Sequence, residues 1–319
     1  MVVSESLAIG AKMRYSDKQE SKHRYKEAYH MKSKVYFSRD ISAETVLKLY
    51  QLLDAPLTGK VAIKVHSGEP GNQNFLRPAF WKPIIDHVGG TVTECNTAYE
   101  GRRNTTAKHL YTLREHGWNA HFDVDLLDTE GPDLELAIPN GKQIRKNYVG
   151  KNLPNYDSML VLSHFKGHPM GGYGGALKQL SIGVASSYGK AYIHGAGDPG
   201  KIWTAERIAF LDSMADAAGS VMEFFGNRIA YINVMANMSV DCDCCAKAED
   251  PCMKDIGILA SLDPVAIDQA CIDMVYAATD DPGQAHLLER IESRKGIRTI
   301  EAAAALGLGS REYELVTVE

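Results

Sequence analysis

The chain of 319 residues carries 35 Lys+Arg against 40 Asp+Glu, for a net charge of −5, with 45% hydrophobic and 24% charged residues. That length admits one large α/β domain or two joined lobes, and a composition near the globular average excludes wholesale disorder, a collagen-like fibre and a disulfide mini-scaffold. The acidic balance argues against coating nucleic acid or an anionic membrane surface, and no apolar run approaches the roughly 20 residues that span a bilayer.

Residues 1–30 are polar, carry mixed charges and lack periodicity, which predicts a flexible N-terminal extension. They also lack the charge-then-apolar order of a secretory signal, so a reducing cytoplasm is the expected compartment. From residue 31 to 319 the pattern alternates. KVYF opens as a strand. Ser42 caps a helix with Val46, Leu47, Tyr50 and Leu53 on one side, and Gly59 introduces the strand KVAIKVH. Arg77-Pro78 starts a helix that ends at Gly89-Gly90, with proline where its missing N–H costs nothing. TVTECNT reads as the next strand and TTAKHLYTLREHG as the next helix, stopped by Gly117. Residues 119–155 are polar, with GPD and PNGK turns, and predict an irregular excursion or a small subdomain.

DSMLVLSHF then gives the near-continuous apolar run of a strand covered on both faces. Helical spacing at Ile208, Leu211, Met214, Ala218 and Met222 predicts one long helix. IAYINVMAN and IGILAS are strands, the second followed by a helix with Asp263 as its N-cap and Pro264 as its first residue. Asp268 and Asp273 fall on that helix's polar face. Two short helices and the strand YELVTV follow. The alternation predicts a three-layer α/β fold, a mostly parallel sheet with helices on both faces, built as a single domain or two closely packed lobes.

In such sheets ligands gather beyond the carboxyl ends of the strands, and three strands here run into unusual residues: VAIKVH into Ser67-Gly68-Glu69-Pro70-Gly71-Asn72, MLVLSHF into Lys166-Gly167-His168-Pro169, and INVMANMSV into a cysteine run. Four of the six cysteines, Cys242, Cys244, Cys245 and Cys252, fall within eleven residues. Thiolates suit iron–sulfur clusters, zinc or another soft metal. The spacing C-x-C-C-x6-C matches neither a zinc ribbon nor a ferredoxin run, and adjacent cysteines diverge, so two or three of these thiolates with a partner from elsewhere is the expected metal set. A loop of reduced thiols and a redox-active disulfide are the alternatives.

In HFKGHPMGGYGGALK, Gly167 and Pro169 oppose a helix, leaving His164, Lys166 and His168 in a loop. Gly171, Gly172, Gly174 and Gly175 precede a helix containing Lys178, and open amides at a helix start suit an anion. Arg102 and Arg103 at a turn offer guanidinium groups for a carboxylate or phosphate. His66 and Glu69 are candidate metal ligands or an acid/base pair, whereas His109 and His116 sit in an amphipathic helix where packing or solvent exposure is the default.

Together AIKVHSGEPGN, TAYEGRRNTT, SHFKGHPMGGYGGALKQLSIGVAS, CDC and DIGILASLDPVAIDQA resemble the family catalogued as domain of unknown function 362, from about residue 33 to about residue 305. The resemblance implies an α/β protein, found mostly in bacteria and archaea with anaerobic metabolism, and singles out His66, Glu69, Arg102, Arg103, His164, Lys166, His168, Lys178, Cys242 and Cys244. Many relatives carry a ferredoxin-like insertion with two C-x2-C-x2-C-x3-C-P runs, which this chain lacks.

The leading expectation is a cytoplasmic metalloprotein. Its cysteine loop binds an iron–sulfur cluster or another thiophilic metal beside a pocket for a small anionic metabolite. There the histidines move protons and the lysines hold the anion, with a redox role as one outcome. A metal-independent enzyme acting on a small carboxylate or phosphorylated metabolite, and a non-catalytic binding protein, are the alternatives. The sequence leaves the oligomeric state open.

Overall fold

The computed structural model describes residues 32–129 and 133–319, so the expected extension at 1–30 lies outside the described residues. Ser33–Glu319 form one compact unit. In chain order the unit runs β1 (Ser33–Ser38), α1 (Ala43–Leu52), β2 (Val61–Lys64), α2 (Pro78–Val88), β3 (Thr91–Glu94), α3 (Thr106–Glu115), the single turn α4 (Trp118–His121) and β4 (Val124–Leu126). A hairpin of β5 (Leu134–Ala137) and β6 (Lys146–Val149) precedes β7 (Ser158–His164), β8 (Lys166–His168), β9 (Gly172–Gly174), α5 (Ala176–Ser181) and α6 (Ser187–His194). The chain closes with α7 (Arg207–Phe225), β10 (Ile229–Met235), β11 (Gly257–Ser261), α8 (Pro264–Ala277), α9 (Gln284–Ser293), α10 (Ile297–Ala305) and β12 (Tyr313–Thr317).

Eight strands make one sheet in the order β12-β1-β11-β10-β7-β2-β3-β4. Only β11 runs against its neighbours; every other adjacent pair is parallel. Five consecutive parallel strands, β10, β7, β2, β3 and β4, therefore end on one rim, which puts the sequence's three unusual strand ends side by side. Strand residues alternate between two cores, as a pleat with period two requires. Leu160, Leu162, Ile63 and Ile232 pack with Val46 and Leu49 of α1 and Trp81, Ile84 and Ile85 of α2. Met159, Val161, Ala62 and Tyr231 pack with α5, α7 and α8 through Leu177, Leu180, Ala215, Ala218 and Val265. Both faces are covered, so the central strands β7 and β10 are buried along their whole length.

Local signals set the helix ends. The Ser42 hydroxyl accepts the Thr45 amide, and the Asp263 carboxylate accepts the amides of Val265 and Ala266. Gly89 ends α2 in the left-handed region at φ 67°, which glycine adopts without strain. The expected irregular stretch at 119–155 is more ordered than its polarity suggested: β4 extends the main sheet and β5–β6 form a separate hairpin. Among the described residues no helix is long and apolar enough to cross a membrane.

Asp268 is the clearest departure from the sequence reading. It is fully buried rather than on a polar face. Its carboxylate accepts from the Ala176 and Leu177 amides at 2.8 and 3.0 Å, the Asn233 side chain at 2.8 Å and the Tyr173 hydroxyl at 3.1 Å. Asp273, five residues on, is exposed and bonds to Gln269 and Tyr313. Removing the buried acceptor strands several donors, each costing about 1–3 kcal/mol. Asp268→Ala is therefore expected to lower stability in denaturant titrations by about 3 kcal/mol or more, with Asp273→Ala costing less than about 1 kcal/mol. Equal losses at the two positions would contradict this assignment.

Candidate functional site

The cysteine run leaves the end of β10 as a long loop, and the charge of Asp243 fixes how that loop lies. The Asp243 carboxylate is buried between Nδ1 of His164, at 3.0 Å, and Nζ of Lys166, at 2.5 Å. Burial alone would raise its pKa, but His164 and Lys166 outweigh it and hold the carboxyl well below its ordinary range. Burial would likewise lower the Lys166 ammonium, and the Asp243 charge reverses that and raises it. The Asp243 carbonyl accepts the Glu69 amide at 2.8 Å, and the Asn72 side chain holds the carbonyls of Cys242 and Cys245 at 3.3 and 2.9 Å.

With Asp243 turned toward β7 and β8, the flanking sulfurs turn to His168. One ligand atom each from His168, Cys242 and Cys244 lie within 4.8 Å of one another, and His168 Nε2 is 3.9 Å from Cys244 Sγ. The Cys244 amide also donates to Cys242 Sγ at 3.4 Å. Two thiols and an imidazole at this spacing could hold a metal ion, as soft donors close together do. Cys245 and Cys252 are not in the group; Cys252 Sγ donates to the Met238 carbonyl at 3.3 Å instead.

The ring nitrogens around the sulfurs are assigned by their neighbours. His168 Nδ1 accepts the Met170 and Gly171 amides at 3.1 and 2.9 Å, and His66 Nδ1 accepts the Gly68 amide at 3.1 Å. Each neutral ring therefore carries its proton on Nε2. His194 is reversed: its Nδ1 donates to the Lys190 carbonyl at 2.8 Å, leaving Nε2 as a lone pair. Burial drives all three pKa values down to about 4, so these rings are neutral at pH 7.

His168 and Cys244 also stand in the wall of a pocket with about 520 Å³ of empty volume, part of it open to solvent. Among the described residues, Lys64, Arg103, Lys178 and Lys190 line it against one lining carboxylate, Glu94. Glu94 is committed to Lys64 Nζ at 2.7 Å and to the Ser67 amide at 2.8 Å, with Arg103 Nη1 at 3.8 Å. Arg103 Nε binds Glu69 at 2.7 Å, yet its Nη2 is buried with no hydrogen-bond partner. Among the described residues, Lys190 donates only to the Ala185 carbonyl, and Lys178 has no hydrogen bond or ion pair. The pocket therefore carries surplus positive charge and an orphaned donor.

The candidates from sequence thus divide. His66, Arg103, His168, Lys178 and Cys244 reach the pocket, and Cys242 stands beside His168 and Cys244 in the thiol–imidazole group. His164 and Lys166 do not line it; they are spent on Asp243 behind the loop. Glu69 pairs with Arg103 rather than with His66. Arg102 projects outward, about half exposed, onto Glu115. The run Gly171, Gly172, Gly174 and Gly175 leads to a helix start whose amides are already taken by Asp268. A side chain at Gly175 would meet that carboxylate at 2.5 Å, so this glycine makes room for an internal anion rather than an external one. His109 is a satisfied core residue held by Ser67 and Asn96. Sequence reasoning missed Lys64, Glu94, Lys190 and His194. A lysine within an apolar strand and a Lys-His pair four apart on α6 were the available signals.

The sequence matches the family described as domain of unknown function (DUF362) over residues 61–273, and the chain belongs to that family. Solved structures similar to it include the following two. The lactate racemase apoprotein from Thermoanaerobacterium thermosaccharolyticum shares 16% identity at a TM-score of 0.39, over 62% of this chain and 50% of that one. A Thermotoga maritima protein shares 11% identity at a TM-score of 0.43, over 82% of this chain and 58% of that one. The chain thus spans 50% and 58% of the lengths of these two structures. No curated protein matches its sequence.

Glu94 carries the pocket's charge balance. Burial would raise its pKa, but Lys64, His66, His109 and Arg103 hold it well below the usual value. A depressed folded pKa contributes stability above the unfolded value of about 4.3, and that stability is lost as pH falls below it. Glu94→Gln leaves Lys64 without its counter-charge and is expected to cost about 3–5 kcal/mol at neutral pH. The variant should also show a shallower loss of melting temperature below about pH 4. A variant as stable as the parent, with the same acid limb, would remove Glu94 from this role.

Proposed function

We propose that this member of the DUF362 family holds a thiophilic metal ion on Cys242, Cys244 and His168 and binds a small anionic metabolite in the cationic pocket beside it. The observation that carries this reading is the double placement of His168 and Cys244, which belong both to the thiol–imidazole group and to the pocket wall. The donor set of two thiols and an imidazole suits a single soft ion with an open position better than the usual iron–sulfur cluster held by four cysteines. His168 Nε2 would serve as a ligand atom once its proton is released to solvent, with the Met170 and Gly171 amides on Nδ1 sharing the resulting ring charge. When bound, such an ion supplies Lewis acidity toward an oxygen of the anion.

The chain's own groups do the rest. Arg103, Lys178 and Lys190 orient the anion, while Glu94 and Glu69 keep Lys64 and Arg103 from adding still more unpaired charge. Burial strengthens each of these contacts by excluding water. His194 Nε2, unprotonated, is the pocket's proton acceptor.

One observation favours a second reading, a metal-independent anion-binding protein or enzyme. As the rings stand, His66 and His168 carry Nε2–H, a donor rather than a ligand lone pair. Anaerobic Co²⁺ titration separates the two. The metal reading expects one ion per chain with thiolate-to-cobalt charge-transfer absorption, abolished in Cys242→Ser and Cys244→Ser and retained in Cys252→Ser. A native chain that shows no such absorption rejects the metal site and leaves the second reading.

A further inference from the structure

A second hollow adjoins the cationic pocket and shares Thr97, Ala98 and Tyr99 with it; this outer space has about 990 Å³ of empty volume, much of it open. Glu100, Asn104, Ser187 and Trp203 complete its wall. Trp203 is out of keeping with the other tryptophans. Trp81 and Trp118 are 2% and 0% exposed, as large apolar rings in a core should be, whereas Trp203 is 63% exposed. Its ring stands 6.1 Å from that of Tyr99, tilted by 53°. Tyr99 thus belongs to the walls of both the aromatic hollow and the cationic pocket.

From this arrangement we infer that the pocket's ligand is a phosphate monoester that also carries a planar aromatic ring, its phosphate inside and its ring stacked on Trp203. The inference rests on the anion reading above. A phosphate monoester offers three acceptor oxygens and a charge of about −1.5 to −2. That matches the three cationic groups Arg103, Lys178 and Lys190 more fully than a carboxylate, which offers two oxygens and a single charge. Arg103 adds a guanidinium to this wall, and its Nη2 is buried without a hydrogen-bond partner. Outside, an exposed indole offers a π-face to any planar ring and so adds affinity without demanding one base or substituent.

Calorimetric titration of the full chain with inorganic phosphate, ribose 5-phosphate and adenosine monophosphate tests it. The nucleotide is expected to bind about tenfold tighter than ribose 5-phosphate. Trp203→Ala, at an exposed site that leaves folding intact, should bring the nucleotide down to the ribose 5-phosphate value without changing the affinity for phosphate. Lys178→Ala should weaken all three. Equal affinity for nucleotide and sugar phosphate, or a nucleotide advantage that survives Trp203→Ala, overturns the aromatic inference and leaves the anion reading standing. No binding of any of the three overturns both.

Discussion

The buried carboxylate of Asp243 is the contact on which the site depends. A charge taken out of water must be paired and hydrogen-bonded, and here a lysine and a histidine from adjoining strands supply both. Because Asp243 stands between Cys242 and Cys244, pairing it also decides the direction of the sulfurs. The loop from β10 to β11 has no regular structure of its own and is otherwise held by backbone bonds such as the Glu69 amide to the Asp243 carbonyl and by side chains from neighbouring segments. Asn74 binds the Glu249 carbonyl, and Arg290 binds the Val240 carbonyl and Asp241. Those contacts place the loop, and the Asp243 clamp orients it.

Charge is balanced differently on the other wall. Lys64 and Arg103 lie at the ends of β2 and after β3, and each has a buried acidic partner, so neither is uncompensated. Lys178 and Lys190 have no carboxylate among the described residues, and the excess falls on the space between α5, α6 and the cysteine loop. The sheet order makes this possible: β7 lies between β10 and β2, so the cysteine loop and the Lys64–Glu94 pair approach one rim from two sides. The neutral rings of His66, His168 and His194 add donors and a lone pair without adding charge.

Much of the frame was legible because its signals are local. Ser42, Pro78, Gly89 and Asp263 each set a helix end through their own backbone neighbourhood, and the apolar runs of β7 and β10 mark strands covered on both faces. The site was legible as a set of strand ends, since the parallel order carries unusual residues to one edge. The roles of individual residues were not, because they depend on partners far along the chain. His164 and Lys166 are taken by a carboxylate nearly eighty residues away, and the amides after the glycine run by one more than ninety residues away. Asp268 followed the helix's polar spacing yet faces inward, because α8 packs against both the sheet and α5 and so lacks a solvent side at that position.

The central claim is that the Asp243 clamp presents the two thiols to His168. Co²⁺ affinity and thiolate charge-transfer absorption of Asp243→Ala, compared with the native chain under conditions where circular dichroism shows both folded, test it most directly. The account predicts a loss of about 10–100-fold in affinity, the usual effect of removing a group that orients metal ligands. A folded Asp243→Ala chain that binds Co²⁺ as tightly as the native protein, with the same absorption, would contradict it.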